Sequence, residues 1–384
     1  MSVGLLILGL VLFVLLVVVH ELGHFIVARR NGVDAEEFGI FFPPRIWSKV
    51  TKKGWRFSIN ALPLGGFVRL KGESDSATGP KTYGSASLRV KTKILLAGVG
   101  MNLVAAFVLL TILAWVGMPQ LVNNQYTVKS DTHIAENEVI MGSIQAGTPA
   151  AGIGLKPSDK FIAIIPQHDK TIDINSNSDI PIIDKGLAGQ TVGIEYIRNK
   201  ITYTKTVRLF TLQESDNFVK SYNQHHKKKT IQGQPTLGIS PDYYELQRST
   251  WSAPIVAGGL LWQFVDLTVH GLATAVMGLF HGNTAKATQQ VAGPVGIYEI
   301  LQNGSILGYQ FILMIVAVIS LSLAIMNALP IPALDGGKLF VTLLAHSLHK
   351  KLTENVEAIV YGTGFAILMV LVVLITIVDV KRNF

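Results

Sequence analysis

The chain has 384 residues, of which 49% are apolar and only 15% charged, with a mean hydropathy of +0.40. Soluble domains carry about 25% charged residues, so the composition excludes disorder and argues against a simple water-soluble fold. There are 33 Lys+Arg against 25 Asp+Glu, a net charge of +8, and no cysteine. The lack of cysteine excludes disulfides, iron–sulfur clusters and cysteine-based zinc modules. Any metal must be held by His, Asp or Glu.

Four apolar runs reach the roughly 20 residues that a transmembrane helix needs: Val3–Ala28, Ile94–Val116, Phe311–Leu329 and Ala358–Val378. They predict a polytopic α-helical membrane protein with four transmembrane helices, placed within residues 1–28, 94–118, 309–330 and 358–384. The first run has no basic n-region and no small-residue cleavage site, so it reads as a retained helix rather than a signal peptide. Arg29–Lys93 holds thirteen Lys/Arg against five acids, whereas Gly117–Thr250 holds fourteen against thirteen. By the positive-inside rule the loop 29–93 is cytosolic, the second segment lies outside and both termini are extracytoplasmic. Topology thus accounts for the basic loop, and no nucleic-acid partner is expected. Trp251–Phe280 is also apolar. It contains Asp266, His270, three Gly before Ala273 and a Pro, so 248–308 is expected to be an interfacial or re-entrant segment.

Within 119–247 the pattern changes to short β-type runs separated by turn residues, at Val139–Gln145, Lys160–Ile165, Thr191–Arg198 and Ile201–Leu209, the last alternating at period two. Between the first two, the stretch from Gly147-Thr148-Pro149-Ala150 to Ser158-Asp159 resembles the turn and short helix of a PDZ domain, with Ser158 in place of the usual Gly. The expectation is one inserted extracytoplasmic PDZ-like, β-rich domain. Such domains add a peptide or substrate tail as a strand at a sheet edge; a β-sandwich without a peptide ligand is the alternative. Lys227-Lys228-Lys229 reads as a solvated loop.

The chemistry lies in the first span. His20-Glu21-Leu22-Gly23-His24 is an H-E-x-x-H motif, whose helical spacing puts both imidazoles on one face within reach of one metal ion. Glu21 sits beside them to take a proton from water. Ten His and twelve Glu placed at random in this length would give roughly 0.008 such matches. Ionisable groups inside an apolar span are costly and tend to be functional. A catalytic zinc site wants a third protein ligand. The best candidate is Asp335, in Asn327-Ala328-Leu329-Pro330-Ile331-Pro332-Ala333-Leu334-Asp335-Gly336-Gly337; the alternative is a loop acid at a helix end. The prolines should break the third span, and Gly336 and Gly337 should allow a tight turn. With four spans, Asp335 emerges on the same inner side as His20 and His24. A fifth span would put it on the outer side, so the metal site and a fifth span exclude one another.

With these residues in hand, the chain resembles the site-2 proteases, bacterial intramembrane zinc metalloproteases of the regulator-of-sigma-E protease type. The resemblance spans nearly the full length. It takes in His20-Glu21-x-x-His24, Leu64-Gly65-Gly66-Phe67-Val68, Gly98 to Asn102, Gly293-Pro294-Val295-Gly296 and Asn327 to Gly336. Val99 stands where many relatives have Pro, and one PDZ-like domain where some have two. The resemblance implies that Zn2+ is held by His20, His24 and Asp335, with Glu21 as general base, in a bacterial inner-membrane enzyme whose active site lies near the cytosolic side. Asn327 is then a candidate for holding substrate backbone or the oxyanion, or else a packing amide, and Asn102 is a polar contact between helices. Leu62–Leu70, around Gly65, Gly66, Phe67 and Val68, resembles the family's membrane-associated β-hairpin loop and is expected to pair with unwound substrate by strand addition. The implied substrates are transmembrane segments of single-span proteins, such as anti-sigma factors shortened on the outer side or remnant signal peptides, with the PDZ-like domain acting as a size filter. A metal-ion transporter would carry polar groups along several spans, and an inactive PDZ scaffold would not need Glu21.

Overall fold

The computed structural model describes residues 3–383 apart from 123, 158, 168, 175–178, 181–185, 199–200, 226–234, 282–292 and 351. Ser158 and the Lys227–Lys229 run lie outside the described residues. In chain order the elements are α1 (Val3–Arg30), β1 (Ala35–Val50), β2 (Arg56–Leu70), α2 (Leu88–Val116), β3 (Met118–Pro119), β4 (His133–Ile144), α3 (Pro149–Gly152), β5 (Lys160–Pro166), β6 (Ile172–Asp173), β7 (Thr191–Arg198), β8 (Ile201–Arg208), α4 (Leu212–His225), β9 (Ile239–Arg248), α5 (Ala253–Phe280), α6 (Pro294–Leu307), α7 (Tyr309–Ala328), α8 (Asp335–Ser347) and α9 (Glu354–Asn383). They fall into two compact units. One, mostly helical, comprises Met1–Val116, Asn124–Asp131 and Ser249–Phe384; the other, β-rich, comprises Gly117–Asn123 and Thr132–Arg248.

In the helical unit α2 is the hub, packed against α1, α5 and α7. Its buried residues Ile94, Leu95, Gly98, Val99, Asn102, Ala106, Leu110 and Leu113 recur every three or four positions, the spacing of a continuous buried helical face. Where α1 crosses, a Cβ on Gly23 would stand 2.6 Å from the Ala97 carbonyl oxygen, so only glycine lets the two backbones approach this closely. The N-terminal half of α1, the C-terminal half of α2, α6 and the start of α7 share one apolar cluster that includes Leu6, Leu301, Ile312 and Val316.

Five helices are long and apolar enough to cross a membrane, against the four expected. The fifth is α5, which is one continuous 28-residue helix rather than the broken or re-entrant segment expected from its composition. Pro254 occupies its first turn, where the missing N–H costs nothing. Gly259 leaves room for the Tyr126 ring, which a Cβ would meet at 2.3 Å. Asp266 and His270 sit on an exposed face one turn apart. The extra helix leaves the direction of the later helices unreversed. The chain enters α5 at the C-terminal end of α2, where the Ser249 N–H donates to the Ala114 carbonyl (2.7 Å). It then re-enters at that same end of the bundle, since α6 packs in the apolar cluster around Leu6 and Leu301. Hence α7 runs in the same direction as α1.

The β1–β2 hairpin joins α1 to α2. The first arm of β1 is flanked on both sides by β2, with Phe38 and Ile40 opposite Val68 and Gly66 on one side and opposite Phe57 and Ile59 on the other. The 66–70 arm of β2 therefore forms an edge. Glu37, only 2% exposed, is held by two 3.0 Å hydrogen bonds from Arg45 Nη2. Burial opposes its charge, but the Ser58 hydroxyl and Arg45 outweigh that and keep the carboxyl below its ordinary range. Ile46, Trp47, Val50 and Leu62 are exposed apolar residues on the hairpin.

The β-rich unit is an antiparallel sheet in the order β3-β9-β4-β5-β7-β8, with β6 added to β5. Alternation holds in β7, where Val192, Ile194 and Tyr196 point into a core with Met141, Phe161 and Leu209. In β8 the same alternating sequence lies on the edge, and Val207 alone is buried. Asp159 accepts from Arg198 Nε (2.6 Å) and the Lys156 N–H (2.8 Å), which fixes the turn before β5.

Candidate active site

Helical spacing in α1 places His20 and His24 one turn apart on the face toward α2. The ring nitrogen Nδ1 of His24 donates to the Ile94 carbonyl at 2.7 Å. A carbonyl only accepts, so the proton of a neutral His24 is on Nδ1 and the lone pair is on Nε2. Between the two rings α2 presents Gly98. A Cβ there would lie 2.5 Å from His24 Nε2 and from His20 Cε1, so bare backbone is the only surface that fits.

Asp335 arrives from the break after α7. Leu329 leaves the helix with ψ 148°, Ala333 takes φ 83° and Leu334 is extended, so Asp335 begins α8. The positive φ falls on Ala333, not on the glycines that were expected to make the turn. Gly336 and Gly337 are helical and serve close approach instead: Cβ atoms would stand 2.4 Å from the Ala328 oxygen and 1.9 Å from the Ile331 oxygen. The first turn of α8 is thereby pressed against the 328–332 backbone.

The result is a triangle of ligand atoms. His20 Nε2 and His24 Nε2 are 3.2 Å apart, and Asp335 Oδ2 lies 3.0 and 3.1 Å from them. Asp335 Oδ2 is buried with no hydrogen-bond partner among the described residues. It faces the lone pair of His24 Nε2, an arrangement that calls for a cation between them. Tetrahedral zinc with bonds of about 2.0–2.1 Å sets its ligand atoms about 3.3 Å apart, and this donor set fits it. These three side chains are the group that could hold a metal ion among the described residues.

Glu21, the next residue on α1, opens into a cavity of about 630 Å³ that His24, Asp335, Gly66, Phe67 and Val68 also line. The backbone amide of Val68 is close enough to act on the charge of the Glu21 carboxylate. A Cβ on Gly66 would be 3.6 Å from Glu21 Cγ. The outer edge of β2 thus runs past the acid that stands beside the triangle.

A family model described as "Peptidase family M50" matches residues 8–371. Two relatives are provisionally named zinc metalloproteases from Clostridium acetobutylicum and Clostridium perfringens. The first is 31% identical over 376 residues, covering 97% of this chain and 96% of the relative. The second is 31% identical over 377 residues, covering 97% of each. A Fusobacterium nucleatum protein of the same provisional name is 29% identical over 380 residues, covering 98% and 97%. The chain belongs to peptidase family M50. With its long apolar helices, this M50 peptidase is a multi-pass membrane protein with a β-rich unit.

The other expected site residues part company. Gly66, Phe67 and Val68 line the cavity; Gly65 sits between Phe42 and Val17, with φ 91°. Asn327 does not line it, and its Nδ2–H donates within its own helix to the Leu323 carbonyl at 3.0 Å. The far wall of the cavity is a polar network that sequence reasoning did not find. Asp75 accepts from Thr342 Oγ1 (2.9 Å) and pairs with Lys91, while its N–H donates to Glu357 Oε1 (2.8 Å). Lys338, one turn past Asp335, pairs with Glu73 at 3.1 Å. Burial works against its ammonium, but Glu73 outweighs that and holds its pKa above the ordinary value. Nothing in the sequence marks residues 73, 75, 338 and 357 as neighbours.

Proposed function

We propose that this M50 peptidase is an intramembrane zinc metalloendopeptidase that cleaves transmembrane segments of single-span membrane proteins. The observation that carries the reading is the convergence of His20 and His24, from the apolar helix α1, with Asp335 at the start of α8, and with Glu21 beside them at a cavity. The relatives' names supply zinc as the ion. His20, His24 and Asp335 would hold Zn2+, which when bound supplies a Lewis acid for the scissile carbonyl and for the attacking water. Glu21 takes the proton from that water and returns it to the leaving amine. Gly66–Val68 offer unwound substrate a strand edge, which spares its backbone polar groups from facing lipid unpaired. Asn327 is left as a packing amide.

In this reading α1, α2, α7 and α9 span a bacterial inner membrane with both termini outside, and α5 adds no net crossing. The exposed apolar side chains of the hairpin sit against lipid. The β-rich unit is PDZ-like and meets the extracytoplasmic tail of the substrate, as a binder or a size filter. The enzyme acts in regulated intramembrane proteolysis, on anti-sigma factors or remnant signal peptides.

The test is zinc content and cleavage of a single-span substrate by wild type and Glu21→Gln in proteoliposomes. Zinc retained with cleavage lost in the variant is expected. Cleavage by Glu21→Gln, or metal flux without cleavage by either, would overturn the reading.

A further inference from the structure

The two histidines of the triangle are not held alike, and the difference points to Asn102. His24 has its Nδ1 proton anchored on the Ile94 carbonyl of α2. His20 Nδ1 faces the Asn102 side chain, two helical turns further along the same face of α2, with Gly98 midway between. Asn102 is 1% exposed, its amide nitrogen is 3.3 Å from His20 Nδ1, and its Oδ1 is buried without a partner among the described residues. Its backbone carbonyl accepts from Ser320 Oγ at 2.8 Å, which ties this turn of α2 to α7.

An amide nitrogen beside His20 Nδ1 can only donate to it, which drives the imidazole proton onto Nε2, the atom that points at Asp335 and His24. That tautomer has no lone pair for a metal. Oxygen and nitrogen of an asparagine amide exchange places by a half-turn about the terminal bond. The turned amide gives the partnerless Oδ1 a donor, the Nδ1–H of His20, and frees the lone pair on Nε2. We propose that Asn102 is a positioning residue that fixes His20 in the Nδ1–H tautomer, so that one face of α2 orients both histidines for the metal. Ile94 does this for His24 with a backbone carbonyl, Asn102 for His20 with a side-chain oxygen. The inference rests on the metal-site reading and adds the element that sets its geometry. Ligating histidines commonly hold the second ring nitrogen this way, and loss of such a partner costs about 10–100-fold in metal affinity.

Zinc affinity of the purified full-length protein, measured by competition with a chromogenic chelator, tests this with Asn102→Leu and Asn102→Asp. Aspartate keeps the acceptor oxygen and has no N–H. Asn102→Leu should bind zinc about 10–100-fold more weakly, and Asn102→Asp about as tightly as wild type. If Asn102→Asp is as weak as Asn102→Leu, the nitrogen is the working atom and the proposal is overturned; wild-type affinity in Asn102→Leu overturns it as well. Wild type that binds no zinc would instead sink the metal reading itself. A nitrogen–carbon correlation spectrum of histidine-labelled, zinc-loaded wild type, with His20 identified by its loss in His20→Gln, needs no Asn102 variant to fold. It should show the proton on Nδ1; a proton on Nε2 overturns the proposal.

Discussion

At the scale of single residues, the site is shaped as much by missing side chains as by those present. Gly98 faces both imidazoles at a distance that no Cβ tolerates. The His24 ring is held from behind by Ile94, so an added methyl group can be accommodated only by moving α2 away from α1 or by moving the ligands. Gly98→Ala should therefore lose zinc and cleavage together. Gly100→Ala, whose Cβ would meet nothing within 4 Å, should keep both. Metal analysis of the purified variants checks this, and full zinc occupancy in Gly98→Ala would refute it. The pairing of the motif histidines was legible in the sequence because spacing on a helix fixes which side chains share a face, whereas Asp335 was a candidate only through the break after the third span and its expected topology. The reason for Gly98 was not legible, because it depends on where a second helix crosses. Gly336 and Gly337 make the same point. Glycine after proline suggested a turn, yet Ala333 takes the left-handed conformation and the glycines admit a neighbouring backbone.

At the scale of elements, the hairpin and α5 were read with opposite success. The composition around Gly65-Gly66 predicted a strand, and β2 is one. Its edge position beside Glu21 comes from β1 pairing with β2 on both sides, a fold-back that no local pattern encodes. For α5, two polar residues and several glycines suggested a broken segment. Both polar residues fall on the exposed face of an unbroken helix, so they do not interrupt its packing. The edge carries a prediction. Val68→Pro removes the amide that meets Glu21 and blocks strand addition at that point. Substrate cleavage should fall by at least about tenfold, the loss expected from one or more backbone hydrogen bonds of about 1–1.5 kcal/mol each. Zinc content should not change, because residue 68 supplies no ligand atom. Cleavage at the wild-type rate by a folded, zinc-loaded variant would rule out pairing at this edge.

At the scale of the whole molecule, the chain is a helical unit interrupted by a β-rich one, and the interruption is narrower than strand-like composition suggests. Asn124–Asp131 belongs to the helical unit. Asp131 accepts hydrogen bonds from the Thr250 N–H (2.8 Å), Ser252 N–H (2.9 Å) and Ser252 Oγ (2.6 Å), and Gln263 receives the Tyr126 N–H at 3.0 Å. The chain leaves the helical unit twice, for Gly117–Asn123 and for Thr132–Arg248, and the residues that flank the longer excursion, Asp131 and Ser249, are thus neighbours. A short Gly/Ser linker can replace Thr132–Arg248 without moving either end. If the β-rich unit screens substrates by size, this deletion should cleave a single-span substrate with an intact folded ectodomain. The wild type should cleave only the version trimmed close to the membrane. Zinc content and the rate on the trimmed substrate serve as controls for a preserved active site, since none of its residues lies in the excised segment. Equal discrimination by the deletion and the wild type would count against a size filter. Loss of cleavage of the trimmed substrate, with zinc retained, would instead make the β-rich unit the part that captures the substrate tail.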